Sequence, residues 1–140
     1  MPEPLTPTDI ADINRQVALY GHIVDARDWP RMRELFTDNL VFVPFQSDMQ
    51  ELTSLDQLIE LWSGAGFPHP SGHHATNVLV DPVEDGIATA TWKGISVHRN
   101  GQARSLIYTE RLRRTADGWR GYWLRVEQRP THVDPVRASA

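Results

Sequence analysis

Three short turn signals limit most strongly what this chain can fold into. Glu84-Asp85-Gly86, Arg99-Asn100-Gly101 and Ala116-Asp117-Gly118 divide the second half into four β-like runs, roughly 73–83, 87–98, 103–115 and 119–128. Asn-Gly and Asp-Gly pairs favour tight hairpins because their central residues tolerate positive φ. Four runs joined in this way predict an antiparallel meander.

The first half has a helical period instead. Thr6-Pro7-Thr8-Asp9 is a helix start, with Thr6 as N-cap, Pro7 in the first turn and Asp9 placed to complete a capping box. Ile10, Ile13, Val17, Tyr20 and Val24 then recur on one face of a helix over about residues 7–26. Asp28 can cap a short second helix with Met32, Leu35 and Phe36 on its buried side. Leu40 to Phe45 is β-rich but carries Pro44, which suits a strand end or an edge. A third helix follows, capped by Thr53 or Ser54 and stopped by glycines. Helices first and a meander second is an α+β pattern, three helices packed on one face of the sheet.

The 140 residues suit a single domain spanning the whole chain, with loose ends over residues 1–5 and 131–140. A net charge of −4 offers no electrostatic footprint for nucleic acid. With no cysteine, disulfides, thiolate metal sites and a cysteine nucleophile are excluded. No apolar run is long enough to span a membrane. The N-terminus lacks the basic start and apolar core of a signal peptide, so a cytoplasmic location is expected.

Asp25 falls at the edge of the apolar stripe of the first helix, flanked by Gly21, Asn14 and Ala18. An acid near a helix C-terminus is opposed by the macrodipole, which hints at another use for it. His22 falls on the polar side. The two histidines of Gly-His-His-Ala-Thr-Asn, residues 72–77, cannot both face inward on one strand. Hydrophobic alternation groups His74 with Thr76, Val78 and Val80 and favours His74 as the inward one. A histidine whose ring is held by a carboxylate has its tautomer fixed and its other nitrogen free for proton transfer. His69, His73 and His74 cluster across a Pro/Gly loop, without the spacing of a helical metal site, so no metal is expected. His98 precedes a turn and reads as exposed.

Trp92, Tyr108 and Trp123 occupy the middles of three successive strands and can meet on one face, either as core or as the wall of an apolar cavity. Phe42, Phe45, Trp62 and Phe67 from the first half would then close it. Arg125 shares a face with Trp123. Inward, it would need a carboxylate or an anionic ligand; outward, it is an ordinary solvated charge.

With a helix reading VALYGHIVDARDWPRMRELF, a strand opening HHATN and a meander ending DGWRGYWLRVE, the chain resembles the SnoaL-like branch of the nuclear transport factor 2-like superfamily. The resemblance runs from about Thr8 to Glu127. It implies a cone: helices closing a strongly curved antiparallel sheet around a deep apolar pocket, a cone-shaped α+β barrel that often forms homodimers or larger assemblies. Catalytic members, scytalone dehydratase and lindane dehydrochlorinase among them, carry an aspartate and a histidine in the pocket. Matching their motifs assigns these to Asp25 and, aligned on Thr76-Asn77, to His73 rather than His74. Tyr20 stands where the dehydrochlorinase has a lysine, and Trp92 at or near a second pocket histidine of the dehydratase, so neither activity transfers. Arg125 matches an arginine on the last strand.

The function this implies is cofactor-free acid/base chemistry of dehydratase or isomerase type. The substrate would be a small hydrophobic molecule (polyketide-, terpenoid- or aromatic-like), bound by Trp62, Trp92, Tyr108, Trp123 and Phe42. Asp25 would orient His73, with Tyr20 or Arg125 stabilising developing charge. The alternatives are a non-catalytic binding or assembly module and, last, the small subunit of a ring-hydroxylating oxygenase.

Overall fold

A computed structural model describes residues 2–129. Helix α1 spans Pro7–Asp25, and a 3₁₀ segment spans Trp29–Glu34. Strand β1 (Phe36–Val43) and helix α2 (Leu55–Ser63) follow. Strands β2 (Gly72–Glu84), β3 (Ile87–Val97), β4 (Ala103–Thr115) and β5 (Gly118–Gln128) complete the chain. The class is α+β, with the helices on the concave side of one curved sheet of order β1-β5-β4-β3-β2.

The meander from β2 to β5 is antiparallel, as the turn residues require, and Gly86, Gly101 and Gly118 all have positive φ. Two features depart from expectation. Strand β1 starts at Phe36 and runs parallel to β5, so the sheet is mixed. Edges β1 and β2 do not pair, so the sheet stays an open trough rather than a closed barrel. Among the described residues no helix is long and apolar enough to cross a membrane. The expected loose tail over 131–140 lies outside the described residues. At the other end Leu5 already packs against the core.

The start of α1 is tied to the far end of the sheet. Thr6 N–H donates to Asp9 Oδ2 (3.0 Å) and Asp9 N–H to Thr6 Oγ1 (3.1 Å), the reciprocal capping box. Asp9 Oδ1 also accepts from Trp119 Nε1 (3.1 Å) and Arg114 Nη2 (3.0 Å). The Thr6 hydroxyl first, then these partners, hold the Asp9 carboxyl well below the usual carboxylate range. Ile13, Val17, Tyr20, Ile23 and Val24 are buried, whereas Ile10 is 40% exposed.

The C-terminal end of α1 is fixed by a Schellman motif. Arg27 N–H bonds Val24 O (3.0 Å), Asp28 N–H bonds Ile23 O (3.1 Å), and Arg27 takes φ 56°. Asp28 precedes the 3₁₀ segment but makes no side-chain cap, contrary to its expected role. Ser54, not Thr53, caps α2 by accepting from Gln57 N–H (3.2 Å).

Strand β2 contains the feature that settles which histidine faces inward. His73 is opposite Ser96 and Ala75 opposite Gly94, both on the concave side with Trp92. His74 is opposite Ile95 and Thr76 opposite Lys93 on the other face of the strand pair, with His74 and Ile95 still bordering the space beside α1. Pairing then slips, so that Asn77 and Val78 together face Trp92 before Leu79 meets Thr91 and Val80 meets Ala90. Asn77, with φ 52°, is the extra residue of this bulge. The slip inverts parity, so odd-numbered His73 and even-numbered Val78 and Val80 all face the trough. Alternation read across the whole strand selects His74 because it ignores this residue.

The bulge makes a direct prediction. Asn77→Gly should leave thermal stability nearly unchanged, because glycine accepts positive φ freely. Asn77→Val should cost about 1–2 kcal/mol in a urea titration, the penalty for a side chain forced into the left-handed region. Equal stability of the two variants would show that the backbone does not need this conformation.

Candidate functional site

Asp25, the last residue of α1, reaches the first turn of β2. Its Oδ2 accepts His73 N–H (2.9 Å) and its Oδ1 lies 2.6 Å from His73 Nδ1. A carboxylate at that distance places a proton on Nδ1, so that whenever the ring is neutral Nε2 is the lone-pair acceptor. Nε2 makes no hydrogen bond among the described residues. Two donors from one residue also offset the unfavourable place of an acid at a helix C-terminus. The approach is close because position 21 is glycine: a Cβ there would stand 2.7 Å from His73 O.

Two hollows meet at His73. An open groove of about 430 Å³ runs between α1 and the β2–β3 edge, with Val17, Tyr20, Asp25, His73, Trp92 and Tyr108 in its wall. An inner cavity of about 110 Å³ lies on the other side of Tyr20, His73 and Tyr108 and is lined also by Phe42, Trp62 and Val126. The groove lies within the 300–1,000 Å³ usual for small-molecule sites. The inner cavity, at about 110 Å³, is the smaller of the two.

Tyr20 is the partition. Its ring meets His73 (5.8 Å), Tyr108 (5.6 Å) and Trp62 (6.3 Å) edge-on, a favoured geometry for aromatic pairs. Trp92 stacks flat on Tyr108 at 4.9 Å, in room left by Gly94, where a Cβ would strike the tyrosine ring. Burial holds the Tyr20 hydroxyl well above its usual range, with Tyr108 adding to the effect, and burial pushes Tyr108 up to about 12. Both therefore stay protonated, each with one O–H to donate.

Trp62, Trp92, Tyr108 and Phe42 thus line the hollows, but Trp123 and Arg125 do not. The register aligns Trp92, Tyr108 and Val126, placing Trp123 opposite Arg111 and Arg125 opposite Thr109 on the outer face. There Trp123 lies between the guanidiniums of Arg111 and Arg125, and Arg125 Nε pairs with Glu127 Oε1 at 3.1 Å. Arg125 is a solvated charge and Trp123 no part of the cavity wall.

Three polar residues reach the concave side without having been singled out for it. Ser96 is buried opposite His73, and its Oγ lies 3.3 Å from His98 Nε2. His98 therefore lines the inner cavity instead of standing exposed. Glu110, two residues along β4 from Tyr108, is 4% exposed and makes no hydrogen bond among the described residues. Burial alone raises its carboxyl to about 8. Gly121 leaves it room, since a Cβ there would lie 2.9 Å from Phe36 Cδ1 and collide with Glu110 Oε2. Alternation with Tyr108 and Leu112, or for Ser96 with Trp92 and Gly94, is the sequence signal that marks these positions as inward. No cluster of three or more metal-ligating side chains forms among the described residues.

No curated protein matches the sequence. Solved structures share the fold at low identity. A hexachlorocyclohexane dehydrochlorinase from Novosphingobium barchaimii superposes with a TM-score of 0.74 at 15% identity, covering 91% of this chain and 95% of its own. A candidate scytalone dehydratase from Novosphingobium aromaticivorans gives 0.75 at 17% identity, covering 91% and 90%. An NTF2-like protein with a cystatin-like fold from the same organism gives 0.73 at 20% identity, covering 94% and 88%. At these identities the likeness speaks for the fold alone. The sequence itself goes further: residues 6–121 match the profile of the SnoaL-like domain, and the chain belongs to that family.

Proposed function

We propose that the chain is a cofactor-free enzyme in which His73 removes a proton from a carbon acid, leading to elimination or isomerisation. The observation that carries this reading is the double engagement of Asp25 with His73, through N–H at 2.9 Å and Nδ1 at 2.6 Å. It fixes the ring and turns Nε2 into a base beside two hollows. Tyr20 and Tyr108 flank the same ring and supply neutral donors toward the oxyanion that forms when a proton leaves carbon next to a carbonyl. The substrate body occupies the groove, and a small apolar substituent fits the inner cavity. The dehydratase and dehydrochlorinase among the structural neighbours are both named for eliminations, which agrees with this class of step.

Proton abstraction can be measured before the leaving group is known. Small β-hydroxy ketones and β,γ-unsaturated ketones incubated in D₂O with the protein should lose the NMR signal of the activated C–H. His73→Ala should slow that exchange by about 10²- to 10⁴-fold, the usual contribution of a positioned base. Ligand-induced shifts without exchange, alike in both proteins, would instead support a binding module.

A further inference from the structure

Beyond the inner cavity, on the side away from the groove, lies a third hollow of about 440 Å³. The 3₁₀ segment, the end of α2, the loop before β2 and the β3–β4 turn surround it. Trp62, Phe67, Pro68 and His69 belong to both hollows and form the wall between them. His69 is locked in that wall, its Nε2 2.6 Å from Trp62 O and its ring 5.6 Å from Trp29 and 4.7 Å from Phe67.

The charge of this hollow is one-sided. Arg27 and Arg99 line it, and no aspartate or glutamate does, although acids outnumber bases in the chain. Arg27 and Arg99 are among the arginines that make no ion pair within the described residues, so neither charge is neutralised by a bound carboxylate. Arg27 is also pre-positioned, with Nη1 donating to Val24 O (3.0 Å) and its backbone held at φ 56° by the Schellman turn. Three carbonyls around the end of α2 are already engaged. Leu61 O accepts from Gly64 N–H, Gly64 O from Phe67 N–H, and Trp62 O bonds His69. Burial first, and the charge of Arg27 among its neighbours, hold His69 below its ordinary range, so the ring in the wall is neutral and the guanidiniums carry the charge.

We propose that this vestibule is an anion-binding site that takes the carboxylate or phosphate of a small, partly aromatic ligand between Arg27 and Arg99. Guanidinium forks match both oxyanions, and Trp29 and Phe67 offer faces for a planar group. A ligand held there presents its far end to the wall in front of the His73 cavity. That this ligand is the substrate rests on the reading of His73 given above; the anion binding does not.

Trp29 and Trp62 line the vestibule, so intrinsic fluorescence reports occupancy. Phenylacetate and phenyl phosphate are titrated against phenylacetamide, which keeps the ring and lacks the charge. The acids should bind at least about tenfold more tightly than the amide, and added salt should weaken them. Whichever acid binds more tightly identifies the oxyanion. Arg27→Gly, which suits the positive φ, and Arg99→Ala, in an exposed turn, should each weaken acid binding by about tenfold and leave the amide unaffected. His73→Ala should not change acid binding, so loss of the catalytic reading would leave this result standing. Equal binding of acid and amide, binding of neither acid, or acid affinity unchanged in the doubly substituted protein would overturn the proposal.

Discussion

Asp25→Asn is expected to slow His73-dependent proton exchange by about 10²- to 10⁴-fold while leaving the melting temperature close to that of the parent. The reason is a constraint on orientation. Asp25 Oδ2 accepts the backbone N–H of His73, which can only donate. An asparagine there must put its oxygen at that position, so its NH₂ faces His73 Nδ1. That nitrogen then has to accept, which moves the ring proton to Nε2 and removes the lone pair the reaction uses. Shape and backbone contact are kept; only the tautomer changes. If Asp25 and His73 act as one unit, the double variant Asp25→Asn, His73→Ala should be no slower than His73→Ala alone. Solvent-exchange NMR on the three proteins reads this directly. Parent-like exchange in Asp25→Asn would show that the carboxylate only anchors the strand.

The parts of the fold that were legible in the sequence are those set by local chemistry. The capping box of Thr6 and Asp9, the Gly86, Gly101 and Gly118 turns and the antiparallel order of β2 to β5 follow from residues close together in the chain. The parallel pairing of β1 with β5 joins segments more than 80 residues apart (Phe36 with Gly121), and nothing local specifies it. The site was legible in the same uneven way. Asp25 was visible as an acid out of place on its helix, but strand parity pointed to His74. One residue in the left-handed conformation, Asn77, inverts that parity, and asparagine inside a β-rich run is the only local mark of it. Trp123 and Arg125 read as cavity residues because the register between strands was unknown; Val126 holds the place next to Tyr108. Glu110 escaped notice because an acid in a strand reads as solvent-facing unless its alternation with Tyr108 and Leu112 is weighed more heavily than its charge.

Glu110→Gln is expected to stabilise the protein, and by more as the pH rises. In the fold the residue is buried, paired across the sheet with Ala90 and Leu124 and near Phe36 and the Tyr20 hydroxyl, and its pKa is raised to about 8. In the unfolded chain it ionises near the ordinary value of about 4.3. Between those values the folded state holds a proton that the unfolded state releases, so the unfolded state binds fewer protons and stability falls as pH rises. Below about pH 4 the residue contributes no such loss. By pH 7 the loss is about 4 kcal/mol, and above the folded pKa it levels off near 5 kcal/mol. Glutamine keeps the volume and the polarity of the protonated acid but has no proton to lose. Its advantage should therefore be under about 1 kcal/mol near pH 4.5 and about 5 kcal/mol near pH 9, a difference of roughly 15 °C in melting temperature for a domain of this size. Paired urea titrations of parent and variant at the two pH values check this, because the other carboxylates cancel in the comparison. A gap that does not widen with pH would mean that the Glu110 side chain reaches water in the folded protein.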